Sequence, residues 1–281
     1  MKLLHLMITF RPSLIIWWEN KMTTEIKRVF SFYFFLKKKS SRTKIFFLLS
    51  SAAILLALVI RAYRLAGHWA ENSQIIFQNI LMVFFLQFLI IILALFYGTS
   101  IVPEEMEGKT WPYLSSRPVS KAAIIIGKYL SSLAVTSIML VSSLLLSYFI
   151  LNLDRDFQLK DIWTVVSYSL VLLLGLAAYL SFFTFLSTWL AKPILLGLAF
   201  GFGWENVIQY FPGTTQKLSI VHYLKSLLPQ YASASGRLSF LFIRLEPTRD
   251  WLAVLILLLI TVVFLGLAAL LFSYKEYLIQ D

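Results

Sequence analysis

The chain of 281 residues contains no cysteine and only three histidines. Without thiols there is no disulfide framework, no thiolate metal site and no cysteine nucleophile. His5, His68 and His222 are far apart in sequence, and no metal-ligand spacing connects them. Charge is scarce as well: 14% of residues are Asp, Glu, Lys or Arg, where a soluble domain carries about 25%. With 59% of residues hydrophobic and a mean hydropathy of +0.79, the chain lacks the polar surface that water requires. These shortages describe an integral membrane protein with little room for a soluble domain. Acidic residues are the scarcer sign, which leaves a formal net charge of +11. That excess does not imply nucleic acid, because ten of the 25 Lys and Arg precede Ile45, the start of the first long apolar run. Basic residues in that position retain the N-terminal end in the cytoplasm.

Long apolar runs are what the chain has in abundance. Runs near the ~20 residues needed to cross a bilayer fall at about 44–63, 75–101, 122–151, 162–190, 193–211 and 251–274. The expected fold is therefore all-α, with six transmembrane helices. With the N-terminus inside, the inner segments hold 16 Lys and Arg and the outer segments 9. Both termini are then expected in the cytoplasm.

Three regions are expected. Residues 1–21 read as a leader or an extended start ahead of Met22, since Arg11-Pro12 breaks their apolar run and no small-residue cleavage site follows. Residues 22–43 form an amphipathic interfacial helix. Ile26, Val29, Phe30, Tyr33 and Leu36 share one face, Lys27, Arg28 and Ser31 lie opposite, and Lys37–Lys39 follow. Residues 44–281 carry the six spans, including a long outer segment, 212–250. Within it Leu218, Val221, Leu224, Leu227 and Leu228 fall at helical spacing, which predicts a helix over 217–228 stopped by Pro229. Such a helix lies on or dips into the outer leaflet as a lid.

Between the second and third spans lies a polar island, PEEMEGKTWPYLSSRPVSKAAIIIGK, residues 103–128. It cannot sit in hydrocarbon, where each charge costs roughly 2.5–3.5 kcal/mol. Gly108-Lys109-Thr110 imitates the tail of a phosphate-binding loop, but Pro103 occupies the first glycine position and three carboxylates intervene. An apolar span also precedes it where a strand is required, so the motif binds no nucleotide. Glu104, Glu105 and Glu107 instead suit the N-terminus of a loop helix, where the macrodipole stabilises negative charge. Trp111, Tyr113 and Leu114 offer an apolar surface, Arg117-Pro118 ends the helix, and Ser120 caps the next one ahead of Lys121. A loop anchored by charge alone would explain the lysines but not that apolar surface.

The stretch EEMEGKTWPYLSSRPVSKAAIIIGKYL resembles the loop of ABC-type exporter permeases of the type-2 family. Their pattern runs Glu, Gly-Thr or Lys-Thr, Leu-Leu, Arg-Pro-Val-Ser-Arg, then Gly-Lys-Tyr. Glu104, Glu105, Glu107, Gly108, Thr110, Leu114, Arg117, Pro118, Ser120, Gly127, Lys128 and Tyr129 match it, with Lys121 in place of an arginine. GWENVIQYFPGTTQKLSIVHYLKSL is similar to a second stretch found in some of these permeases. The resemblance extends from about Met22 to the C-terminus. It implies that the island is a coupling helix seated on a separate ABC ATPase subunit. Residues 103–121 would carry that contact, through Glu104, Glu105, Glu107, Gly108, Thr110, Leu114, Arg117, Pro118, Ser120 and Lys121, and ATP and Mg would sit on the ATPase, with no cofactor on this chain. It further implies an exporter permease that works as a homodimer or with a homologous permease, in a cytoplasmic membrane of prokaryotic type.

Other polar residues lie in the spans. Glu205, the lone acid within a span, falls about 18 Å along a helix from Pro193 at 1.5 Å per residue. It suits a hydrogen-bonding role near the outer loop better than ion handling, because no second acid joins it in any span. Ser132, Thr136, Ser143 and Ser147 share a face of the third span, and Ser181, Thr184 and Thr188 lie in the fourth. They line a polar path or allow close helix packing, the commoner use. Gly197 and Gly201 form a GxxxG in the fifth span, a packing motif that also allows dimerisation. The rival readings are an intramembrane lipid-modifying enzyme, which needs a cluster of catalytic groups, and a channel or secondary transporter, which calls for paired broken helices. Neither signature is evident in the sequence.

Overall fold

A computed structural model describes residues 22–66, 73–104, 120–153, 159–211, 213–228 and 248–275. All the regular elements among them are helical. Helix α1 spans 22–39, α2 Ser41–Leu65, α3 Ser73–Thr99, α4 Lys121–Asn152 and α5 Leu159–Trp189. Helix α6 spans 193–210, α7 Ile220–Ser226 and α8 Asp250–Tyr274. Five of these, α2, α3, α4, α5 and α8, are long and apolar enough to cross a membrane. Hydrocarbon offers no partner to a backbone amide, so apolar runs of this length satisfy their hydrogen bonds within one helix.

Polar residues set the helix boundaries. Ser40 separates α1 from α2 and caps α2, its hydroxyl accepting from the Arg42 N–H at 3.3 Å. Helix α5 stops three residues short of Pro193, which opens α6 at its first position. Lys275, just past α8, donates to the carbonyls of Thr188 and Trp189 and so completes the open end of α5.

Helix α5 lies at the centre, packed between α3 and α8, while α2 packs on α4. The core runs along α3 and α5, where Phe85, Leu89, Leu176, Tyr179 and Phe183 have no exposed surface. Gly98 allows that closeness: a Cβ there would stand 2.7 Å from the Cβ of Phe183.

The expected fifth span is helical but not a single α-helix. Residues Pro193–Leu198 are α, Ala199–Trp204 π, Glu205–Val207 α and Ile208–Tyr210 3-10. Helix α3 also contains a π stretch, Leu81–Leu89. The GxxxG of α6 is used inside the chain. Gly197 lies against Leu95, and a Cβ at Gly201 would stand 2.5 Å from Ile91 Cγ2, so both glycines serve the α3–α6 contact.

Candidate functional site

Of the ten residues expected to contact an ATPase, Glu104, Ser120 and Lys121 are among the described residues. Glu105, Glu107, Gly108, Thr110, Leu114, Arg117 and Pro118 lie outside them. What is described is the root of the segment, where its two flanks enter the bundle. Glu104 forms an ion pair with Arg42 at the start of α2. On the other flank, the Ser120 hydroxyl caps α4 by accepting from the Ala123 N–H at 3.3 Å. The backbone N–H of Ser120 donates to Glu25 of α1 at 3.1 Å. Lys121 Nζ reaches the Ser273 carbonyl near the end of α8 at 3.3 Å.

Helix α1 closes this root. It crosses α4 at Gly127, where an added Cβ would meet Val29 Cγ1 at 2.6 Å and the Ile26 carbonyl at 3.2 Å. Only a glycine admits an approach that close. Lys128, which the sequence placed at the polar edge of the island, is buried instead. Its ammonium donates to the Ile101 carbonyl at 2.8 Å and stands 4.7 Å from the centre of the Tyr33 ring. Tyr129 donates to the Ala177 carbonyl of α5 at 3.0 Å. The Gly-Lys-Tyr triplet of the sequence pattern thus binds α1, the turn that follows α3, and α5 in succession.

Two expectations for α1 change. Lys37, placed in the lysine cluster that follows the helix face, is part of α1, is buried and donates to Ser132 of α4. Leu36, assigned to the apolar face, is 58% exposed. The inward stripe is Ile26, Val29, Phe30, Tyr33 and Lys37, the last two buried and the others half-buried, with Phe32, Phe35 and Leu36 facing outward. The helix therefore packs on α4 with one face and presents a second apolar face to its surroundings. Sequence periodicity missed this because both faces are apolar.

The span hydroxyls are turned inward. Ser143 donates to the Ser50 carbonyl of α2 at 2.5 Å, and Thr136, Ser181, Thr184 and Thr188 donate to carbonyls of their own helices. Ser147 is buried as well. Close packing is the use these contacts support.

Glu205 forms a second polar centre. It has no exposed surface, and its carboxylate accepts from the Ser219 hydroxyl at 2.5 Å and from the N–H groups of Ile220 and Val221 at 3.1 and 3.3 Å. It thereby caps α7 from across the chain, the bonding near the outer loop that the sequence favoured. The predicted 217–228 helix is shorter, because Gly213–Leu218 forms a 3-10 turn and Leu218 is 66% exposed. Lys225 donates to Gln209 Oε1 at 2.5 Å. Burial pushes its ammonium down to about 8, with Glu205 opposing the shift. Leu224 lies against Gly175 in the middle of α5, so α7 is inserted into the bundle.

No group of His, Asp or Glu among the described residues is placed to hold a metal ion. A comparison with curated proteins finds no match. The sequence pattern of the ABC-2 family transporter protein domain matches residues 19–277. That match covers every described helix, the loop root and the Glu205 centre alike, and on it this chain belongs to the ABC-2 transporter family, as an integral membrane protein that serves transport.

Proposed function

We propose that this chain is the permease subunit of an ATP-driven ABC exporter, coupled to a separate ATPase subunit through residues 103–121. The supporting observation is the root of that segment, where single bonds link both flanks to α1, α2, α3 and α8. A force applied to the segment pulls on Glu104 and Ser120 and so reaches those elements together. ATP and Mg sit on the ATPase. When its two copies close, the segment moves as a coupling helix, and the helices repack between inward- and outward-facing arrangements. In this reading α6 completes six crossings, and both termini lie in the cytoplasm of a prokaryotic cell. The permease acts as a dimer, either with itself or with a homologous permease.

Leu114 supplies apolar contact, and the Arg117 guanidinium pairs with a carboxylate on the ATPase. Leu114→Glu places a desolvated charge in that contact, and Arg117→Ala leaves a carboxylate unpaired, a loss of about 2–5 kcal/mol of binding. The check is co-purification of the ATPase and its stimulated ATP turnover, with membrane yield as the folding control. Full binding and turnover in both variants would remove this segment as the transmission element.

A further inference from the structure

Helix α1 has three sides, and two of them are accounted for. Its inward stripe packs on α4, with Val29 against Gly127 and Lys37 bonded to Ser132. Lys27, Ser31 and Lys38 form an exposed polar side. The third side carries Arg28, Phe32, Phe35, Leu36 and Lys39, which recur at steps of three and four residues and so share one face. All five are exposed, Phe32 by 62% and Phe35 by 68%. The Val29–Gly127 crossing and the Lys37 bond fix the rotation of the helix, so these rings cannot turn inward.

A contiguous patch of large apolar side chains marks a surface that something covers. The charges on this face say what. Arg28 and Lys39 stand at its two ends, about 16 Å apart along the helix at 1.5 Å per residue, with the apolar residues between them. Neither has a carboxylate partner among the described residues. The single acid of α1, Glu25, is already bonded to Ser120. A second copy offering the same face would bring like charges together. Helix α8 differs: Leu255, Leu259 and Val262 point outward, and residues 250–274 contain no Lys or Arg. Uncharged lipid suits that surface.

We infer that the Arg28–Phe32–Phe35–Leu36–Lys39 face of α1 binds anionic phospholipid. Phe32, Phe35 and Leu36 enter the acyl region, and the two cations hold the headgroup phosphates. Apolar burial and attraction to anionic headgroups add on a helix of this kind. The long stems of Arg28 and Lys39 lie along the apolar surface while their charges reach the headgroups. Interfacial placement alone would suit any lipid; the paired cations select the anionic ones. Helix α1 is then held between α4 on one side and bound lipid on the other.

The chain has no cysteine, so a small fluorophore can be attached to one thiol of the full chain. Phe35→Cys places it on the α1 face, and Val262→Cys on α8 is the reference. Each protein is reconstituted in mixed phosphatidylcholine and phosphatidylglycerol vesicles. Either lipid, at equal mole fraction, carries a nitroxide quencher on its acyl chain. At position 35, quenching by the phosphatidylglycerol analogue is expected to exceed that by the phosphatidylcholine analogue about twofold or more. At position 262 the two are expected to be equal. Arg28→Gln combined with Lys39→Gln should bring the ratio at 35 down to that at 262, and folding is spared because both residues are exposed. Equal quenching at 35 in the unsubstituted chain overturns the anionic preference. A preference that survives the double substitution overturns Arg28 and Lys39 as its source. No quenching at 35 by either lipid overturns lipid as the occupant, as does a disulfide that joins two copies at that thiol. These readouts involve no ATPase, so they stand or fall independently of the exporter reading.

Discussion

Two carboxylates cap helices across the chain, and they do so in opposite surroundings. At the loop root, half-buried Glu25 accepts one backbone N–H, that of Ser120 at the start of α4. In the other region, Glu205 is fully buried and accepts three donors at the start of α7. Water can replace the first bond and cannot reach the second. An exposed contact of this kind is worth about 0–1 kcal/mol, whereas each buried donor left without a partner costs about 1–3 kcal/mol. The difference separates a joint that can be remade during a transport cycle from a fixture that holds a short helix inside the bundle.

The largest expected effect tests the fixture. Glu205→Leu strands the Ser219 hydroxyl and two backbone N–H groups, so the protein should lose more than about 3 kcal/mol of stability. Thermal unfolding in detergent would measure this, and thiol labelling of Leu224→Cys would report whether α7 leaves the bundle. An unchanged melting temperature with position 224 still protected would show that packing alone holds α7.

A smaller effect is expected where α1 crosses α4. Gly127→Leu forces atoms into the space of Val29, and overpacking of this kind costs about 1–3 kcal/mol. Membrane insertion should persist, because the long spans form independently of α1. ATPase-stimulated turnover should fall while ATPase co-purification is retained. Retained turnover would show that coupling bypasses α1.

The smallest expected effect is that of Glu25→Gln. The amide oxygen can still accept from Ser120, so stability should change by less than about 1 kcal/mol. A melting shift as large as that of Glu205→Leu would erase the distinction between the two caps.

Much of the bundle was legible in the sequence. The six apolar runs agree with helix ends to within a few residues, and Ser120 is the cap that its position ahead of Lys121 predicts. The Gly127-Lys128-Tyr129 triplet was visible only as a pattern. Its reason lies in residues far away in the chain: Val29 for the glycine, Ile101 and Tyr33 for the lysine, and Ala177 for the tyrosine. Glu205 stood out as the lone acid in a span, and its bonding to an outer segment was one of the expected alternatives.

The sequence by itself determined that the chain is helical and resides in a membrane. Hydrocarbon accepts only backbone that satisfies itself, and runs of about 20 apolar residues do so as helices. It also set where the helices begin, because a capping hydroxyl acts within three residues of its own position. It could not set which side of an apolar helix faces inward, since α8 is apolar almost all round and has little polar face to orient it. That choice fell to contacts between distant residues. Lys37 meets Ser132 across 95 positions, and Glu205 holds the start of α7. Only the tertiary structure makes a buried lysine or carboxylate tolerable, because only there do its partners exist.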